Sequence, residues 1–233
     1  MRKVFGRTEK ASVILRRSFD EIDKIGLNSV GIVALMSFFM GAVITLQTAS
    51  NIDSPWVPLY TVGFTARQSI ILEFSPTIIS LILAGKVGSN IASELGTMRI
   101  TEQIDALDIM GVNSSSYLIL PKIIAAVFFF PFLIMMSMFL GLFGGWFAGV
   151  FSGAMTSYGY FYGIQFDFDP FSVTYALIKT LFFAYIITSV AAYHGYYAKG
   201  SALEVGSSST KAVVYSSILI LIVNYLITQI LLI

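Results

Sequence analysis

Few residues in this chain have the type and spacing to do chemistry. One histidine, His194, and no cysteine are present. A thiolate nucleophile, a disulfide framework and a cysteine metal site are therefore excluded. The best nucleophile–base pair that can be assembled is Ser89 with His194, and no GxSxG or HExxH motif supports it. Gly85-Lys86 might suggest a phosphate loop, but the spaced glycine before it and the Ser or Thr after it are missing. The sequence is thus not expected to be an enzyme or to hold a metal or cofactor of its own. What remains is charge in unusual places. Glu73, Lys86 and Lys179 lie inside long apolar runs, and Glu102, Asp105 and Asp108 punctuate a short segment between two such runs. Ionisable groups at membrane depth are costly and mark partners, cavities or lipid phosphates, with snorkelling of Lys179 as the alternative.

Composition explains why those charges stand out. Of 233 residues, 56% are hydrophobic and 12% are charged, and the mean hydropathy is +0.82. Soluble domains carry about 25% charged residues, so an integral membrane protein is predicted. Five spans are read at about 28–49, 67–91, 117–150, 171–197 and 212–232, each long enough to cross. The third is long and holds Pro121 and Pro131. Its flanks differ in charge, with Arg99 before it and Lys122 at its start, and with Asp167 and Asp169 but no basic residue in Phe151–Pro170 after it, so one crossing is expected.

Residues 1–27 form a separate region. They hold Arg2, Lys3, Arg7, Lys10, Arg16, Arg17 and Lys24, half of the chain's Lys and Arg. Leu15, Phe19 and Ile22 recur at helical spacing, which predicts an interfacial helix on a cytoplasmic leaflet. No nucleic-acid reading motif accompanies the basic residues. The loop Ser50–Ala66 has no basic residue and carries Pro55, Trp56, Pro58 and Tyr60, as suits an outer interface. Lys199 and Lys211 place the loop Lys199–Ser217 inside, and the C-terminus falls outside.

The polar segment Leu83–Pro121 is the centre of the reading. Thr101 can N-cap a short helix with Glu102 in its first turn, and Gly111 is a plausible stop. Ile100, Ile104, Leu107 and Met110 share one face; Glu102, Gln103, Asp105 and Asp108 take the others. A short acidic amphipathic helix between spans reads as a docking element. An interfacial helix in headgroups is the alternative, which its acidity disfavours. Further on, Gly141, Gly145, Gly149 and Gly153 make three consecutive GxxxG steps, open to packing within the chain or between two copies.

The run ASELGTMRITEQIDALDIMGVN closely resembles the signature of MlaE-type permeases, the membrane subunits of ABC transporters that traffic lipids between bacterial membranes. The resemblance extends through Thr45-Leu46-Gln47, Ala84-Gly85-Lys86-Val87-Gly88 and Thr210-Lys211-Ala212-Val213-Val214. Where the family has Arg-Glu-Leu-Gly-Pro this chain has Leu72-Glu73-Phe74-Ser75-Pro76; the acid and the proline stay and the arginine does not. The resemblance implies an all-α membrane fold: an N-terminal interfacial helix over 1–27, a five-span permease domain over 28–233, and a cytoplasmic coupling helix at about 101–110. It implies phospholipid transport across a bacterial inner membrane, with the N-terminus cytoplasmic and the C-terminus periplasmic. The implied partners are a second copy of the chain, ABC ATPase subunits that bind ATP and Mg, an MCE-domain lipid-binding protein on the outer side and, in related systems, a STAS-domain protein.

Glu94, Thr101, Glu102, Gln103, Ile104, Asp105 and Leu107 would couple to the ATPase, with Ile104 and Leu107 as apolar anchors. From motif position, Leu46, Gln47, Glu73, Phe74, Ile78 and Lys179 would meet lipid. Other readings are a membrane scaffold that conducts nothing and, behind it, a secondary carrier, although no similar halves appear.

Overall fold

The computed structural model describes residues 11–52 and 57–232. Pro55, Trp56 and the basic residues Arg2, Lys3, Arg7 and Lys10 lie outside them. The described chain is helical, and five of its helices are long and apolar enough to cross a membrane. They are α1 (Ser12–Asn51), α2 (Tyr60–Ile100), α4 (Ser114–Phe151), α6 (Phe171–Tyr196) and α7 (Ala202–Leu232). Two short helices complete the order: α3 (Gln103–Ile109) between α2 and α4, and α5 (Ser157–Gln165) between α4 and α6. The shortest of the five has 26 residues, or about 39 Å of helix against a hydrocarbon core of about 30 Å. This is an all-α, multi-pass membrane protein.

Four of the five helices overrun the expected spans, for physical reasons. α1 carries the predicted N-terminal helix into the first span without a break, through a π turn at Ile22–Leu27. Leu15 and Phe19 are exposed along it. α4 is one helix of 38 residues despite Pro121 and Pro131. The segment after Lys199, rich in Ser and Gly, reads as a loop, yet helix α7 begins at Ala202. Packing decides there: Val205 presses on Gly96 of α2, and the Ser209 hydroxyl donates to the Ser89 carbonyl at 3.2 Å. Helix α5 was not anticipated either; Thr156 caps it, its hydroxyl accepting from the Gly159 amide at 3.1 Å.

The described residues gather into two compact units. One takes those within Met1–Ser29, Ser80–Pro131 and Leu181–Ile233, the other Val30–Ile79 and Phe132–Thr180. In the first, α7 packs along the end of α2, and Gly195 lets α6 approach the Ala92 backbone. In the second, α5 packs on the first turns of α2, where Gly63 faces the Tyr160 carbonyl and Gly163 that of Tyr60. A side chain at either glycine would collide with backbone, so this crossing needs both. Several buried hydroxyls bond inside the protein, as an apolar setting favours: Ser37 donates to the Val33 carbonyl at 2.6 Å, and the Ser137 hydroxyl lies 2.8 Å from that of Ser37 and 3.1 Å from that of Ser75.

Candidate functional site

The second unit holds a charge pair at membrane depth. Lys179 of α6 has a fully buried side chain, and its Nζ donates to Glu73 Oε1 at 2.7 Å and to the Leu72 carbonyl at 3.3 Å. Pro76 lies four residues on from Leu72. A proline removes the donor for the carbonyl four residues earlier, here that of Leu72, and the turn widens to a π register over Ile70–Ile78. The ammonium covers that carbonyl. The Tyr175 ring lies 4.4 Å from Nζ, adding a cation–π contact. Glu73 also accepts from the Thr77 hydroxyl at 3.2 Å, while its side chain stays 43% exposed. Lys179 thus meets a partner and does not snorkel. It also supplies, from another helix, a cation beside Glu73 where Leu72 offers none.

The neighbouring candidates divide. Phe74 packs on the cluster of Ile44, Ala66 and Ile70, and Phe74 and Ile78 line a crevice with Ser37, Gly41, Ser75 and Ser137. Leu46 and Gln47 are exposed on α1. The crevice holds only about 10 Å³, room for one water and not for a lipid chain.

Arg67 escaped the sequence reading as anything but a span boundary. It is 2% exposed, and its guanidinium donates to the carbonyls of Ile164 (2.8 Å), Phe166 (3.0 Å) and Asp167 (3.2 Å). It thereby closes the C-terminal end of α5, where a cation suits the helix dipole. An arginine at the edge of an apolar run was the available signal.

The acidic segment folds as a helix whose start differs from the one expected. Thr101 does not cap α3. It terminates α2, donating its hydroxyl to the Thr97 carbonyl at 2.8 Å, and Glu102 holds the N-cap position with φ +60°. Left-handed backbone at a glutamate is a strained choice that makes this corner sharp. Asp105 reaches back to Arg99 at 2.6 Å, and Gly111 ends the segment with φ +80°. The apolar face also sorts differently. Ile104 is fully buried within its own chain and Leu107 half-buried, so Ile104 is no free anchor for a partner. Ile109 and Met110 are instead 88% and 68% exposed, beside exposed Glu102, Gln103 and Asp108.

Glu94 belongs to a second ion cluster. Lys122, buried in α4, donates to Glu94 Oε2 at 2.6 Å and to Glu21 Oε2 at 2.8 Å. One ammonium therefore ties α1, α2 and α4 together, with Glu94 nine residues before α3 begins. Nearby, Arg17 stacks over the Tyr117 ring at 3.6 Å and Lys86 donates to the Asn28 carbonyl. Lys122 was used in the sequence only to orient a span; its place beside Pro121 in an apolar run was the missed signal. Ser89 and His194 make separate contacts: the Ser89 hydroxyl donates to Lys86, and His194 stacks on Tyr215 at 5.2 Å.

The glycine stripe packs within the chain. Gly141 lies against Ile70, Gly145 against Thr45 and Tyr160, and Gly149 against Met155; Gly144, off the stripe, abuts Phe38. Gly153 does not join them. It lies past the end of α4, in open space with φ +73°, and serves the turn.

Comparison with known proteins adds to this geometry. The family model "Permease MlaE" matches residues 18–230. A probable ABC transporter permease protein of Rickettsia bellii is 39% identical over 88% of this chain and 79% of its own length. One from Synechocystis is 30% identical over 96% of this chain and 84% of its own. The chloroplastic protein trigalactosyldiacylglycerol 1 of Arabidopsis thaliana is 31% identical over 96% of this chain and 63% of its own.

Proposed function

We propose that this chain, which belongs to the MlaE permease family, is the membrane subunit of an ABC transporter that moves phospholipid or a similar lipid between membranes. One observation carries the cargo: the Glu73–Lys179 pair, whose carboxylate is partly exposed and is followed along α2 by apolar Phe74 and Ile78. A charged group on an otherwise apolar lining suits an amphiphile, with its polar head at the pair and its chains along the walls. The Arabidopsis relative is named after a galactolipid, which points the same way.

The chain supplies no nucleotide chemistry in this reading; ATP and Mg bind in separate ATPase subunits. Helix α3 docks on them from the cytoplasmic side of an inner membrane, with Ile109 and Met110 as apolar contacts and Glu102, Gln103 and Asp108 around them. Leu107, half-buried, borders the contact, and Ile104 fixes α3 to its own chain. The Lys122 cluster holds Glu94 in register with that helix. Two copies of the chain enclose the lipid path, since five spans are few for that task. An MCE-domain protein meets the outer side, and a STAS-domain protein can join the ATPases. Leu15 and Phe19 lie in the cytoplasmic leaflet as an interfacial segment.

Affinity purification of the tagged chain in mild detergent, with mass spectrometry of proteins and lipids, tests this assembly. Co-purifying ATPase, MCE-domain protein and phospholipid support it. Repeated recovery of the chain alone, without lipid, contradicts it and favours a scaffold or carrier.

A further inference from the structure

A second cavity lies apart from the charge pair. It measures about 610 Å³, within the range of ligand sites, and is lined by α2, α4, α5 and the chain around the start of α6 in the second unit. Ile71, Met135, Met138 and Phe139 make much of its wall, and Arg67 and Gln165 are its polar members. Neither Glu73 nor Lys179 lines it, and no acidic residue does.

Two contacts set its polarity along the helices. Ile70 packs on Gly141 and Ser75 bonds to Ser137, so α2 and α4 run antiparallel here. Arg67 is therefore level with the residues just beyond Leu142, whereas Met135 lies about 10 Å of helix from Leu142 in the opposite direction. The cavity is polar at one end and apolar at the other.

Arg67 has donors to spare. Both Nη1 protons and one Nη2 proton go to the carbonyls of Ile164, Phe166 and Asp167. Nε–H and one Nη2–H enter no hydrogen bond among the described residues, which leaves donors, Nε–H among them, for a phosphate. Methionine and phenylalanine walls adapt to a flexible chain. In a multi-pass membrane protein an open apolar cavity is filled by lipid more readily than by water.

We propose that this cavity is a second lipid site, holding one acyl chain of a membrane glycerophospholipid whose phosphate takes the free donors of Arg67. Occupancy depends on neither ATP nor an ATPase, so the proposal stands or falls separately from the transport reading.

The test uses the full-length chain in nanodiscs containing phosphatidylglycerol with a diazirine in mid-chain, and parallel discs with the matching diacylglycerol, which lacks phosphate. After irradiation, adducts are mapped by mass spectrometry. Expected are adducts on Met135, Met138 and Phe139, at least fivefold weaker with the diacylglycerol. Met138→Trp and, independently, Val173→Trp fill the cavity and should remove them, while adducts on exposed Leu221 and Tyr225 of α7 persist as a folding control. Arg67→Lys should bring phosphatidylglycerol labelling down to the diacylglycerol level. Cavity labelling no stronger than on α7, or indifferent to both tryptophans, would overturn the site. Equal labelling by the two lipids would overturn the phosphate contact.

Discussion

The Lys179 ammonium and the Glu73 carboxylate, on different helices, meet at 2.7 Å in a setting where the lysine side chain has no exposure and the glutamate keeps 43%. The lysine side chain is therefore enclosed by the protein, and the glutamate is the partner that reaches the surface. This asymmetry separates two effects that a mutation would otherwise mix. Glu73→Ala strands a buried cation, and breaking a buried pair from one side costs about 3–5 kcal/mol, less where one partner is partly wet. Glu73→Ala with Lys179→Met removes both charges, and most of the melting temperature should return. Lipid transport should stay low in both variants, with the complex still assembled. Thermal melting in detergent, paired with a transfer assay, checks this.

Lys122 is expected to act on coupling. Its ammonium holds Glu21 and Glu94 at once, so Lys122→Met should leave ATP hydrolysis running while lipid transfer drops about tenfold. Lys122→Arg should restore much of the transfer. Measuring both rates on one reconstituted complex decides it, since mere misfolding would lower the two together.

The exposed tip of α3 gives a docking prediction. Ile109→Asp or Met110→Asp should weaken retention of the ATPase tenfold or more, in keeping with about 1–3 kcal/mol for a well-seated apolar contact. Glu102→Lys should uncouple or detach the ATPase. Ile104→Asp should instead reduce the folded yield, because that side chain is buried in its own chain. Pull-down of the ATPase against total folded protein distinguishes the two outcomes.

The glycines make a further contrast. Gly145→Leu would drive a side chain into Thr45 and Tyr160 and should abolish the monodisperse peak in detergent chromatography. Gly153→Ala meets nothing and has only its positive φ to oppose it, a cost of about 1–2 kcal/mol. It should elute like the wild type.

The sequence made the membrane class, the five spans and the short acidic helix between two of them legible because hydropathy and charge asymmetry act over many residues and average out local noise. Where a single contact decides, it was silent. Thr101 looks like an N-cap by type, but the tight corner puts Glu102 there. Ser and Gly after Lys199 suggest a loop, and only packing on Gly96 and Ser89 makes them helix. Ile104 and Met110 share a face on paper, while the fold buries one and exposes the other. The partners of Lys179 and Lys122 could not be named from spacing, being 106 residues away for Glu73 and 101 and 28 for Glu21 and Glu94. Yet each of these lysines lies in an apolar run, which was reason enough to expect a partner.

ATP-driven movement of lipid through a path that includes Glu73 is the central expectation. Proteoliposomes carrying the chain with its ATPase and MCE-domain partner, loaded with a fluorescent phospholipid, measure it. The prediction is transfer that requires ATP and falls at least fivefold in Glu73→Ala with Lys179→Met, while ATP hydrolysis persists. Transfer indifferent to ATP, or unchanged in that double variant, would contradict it.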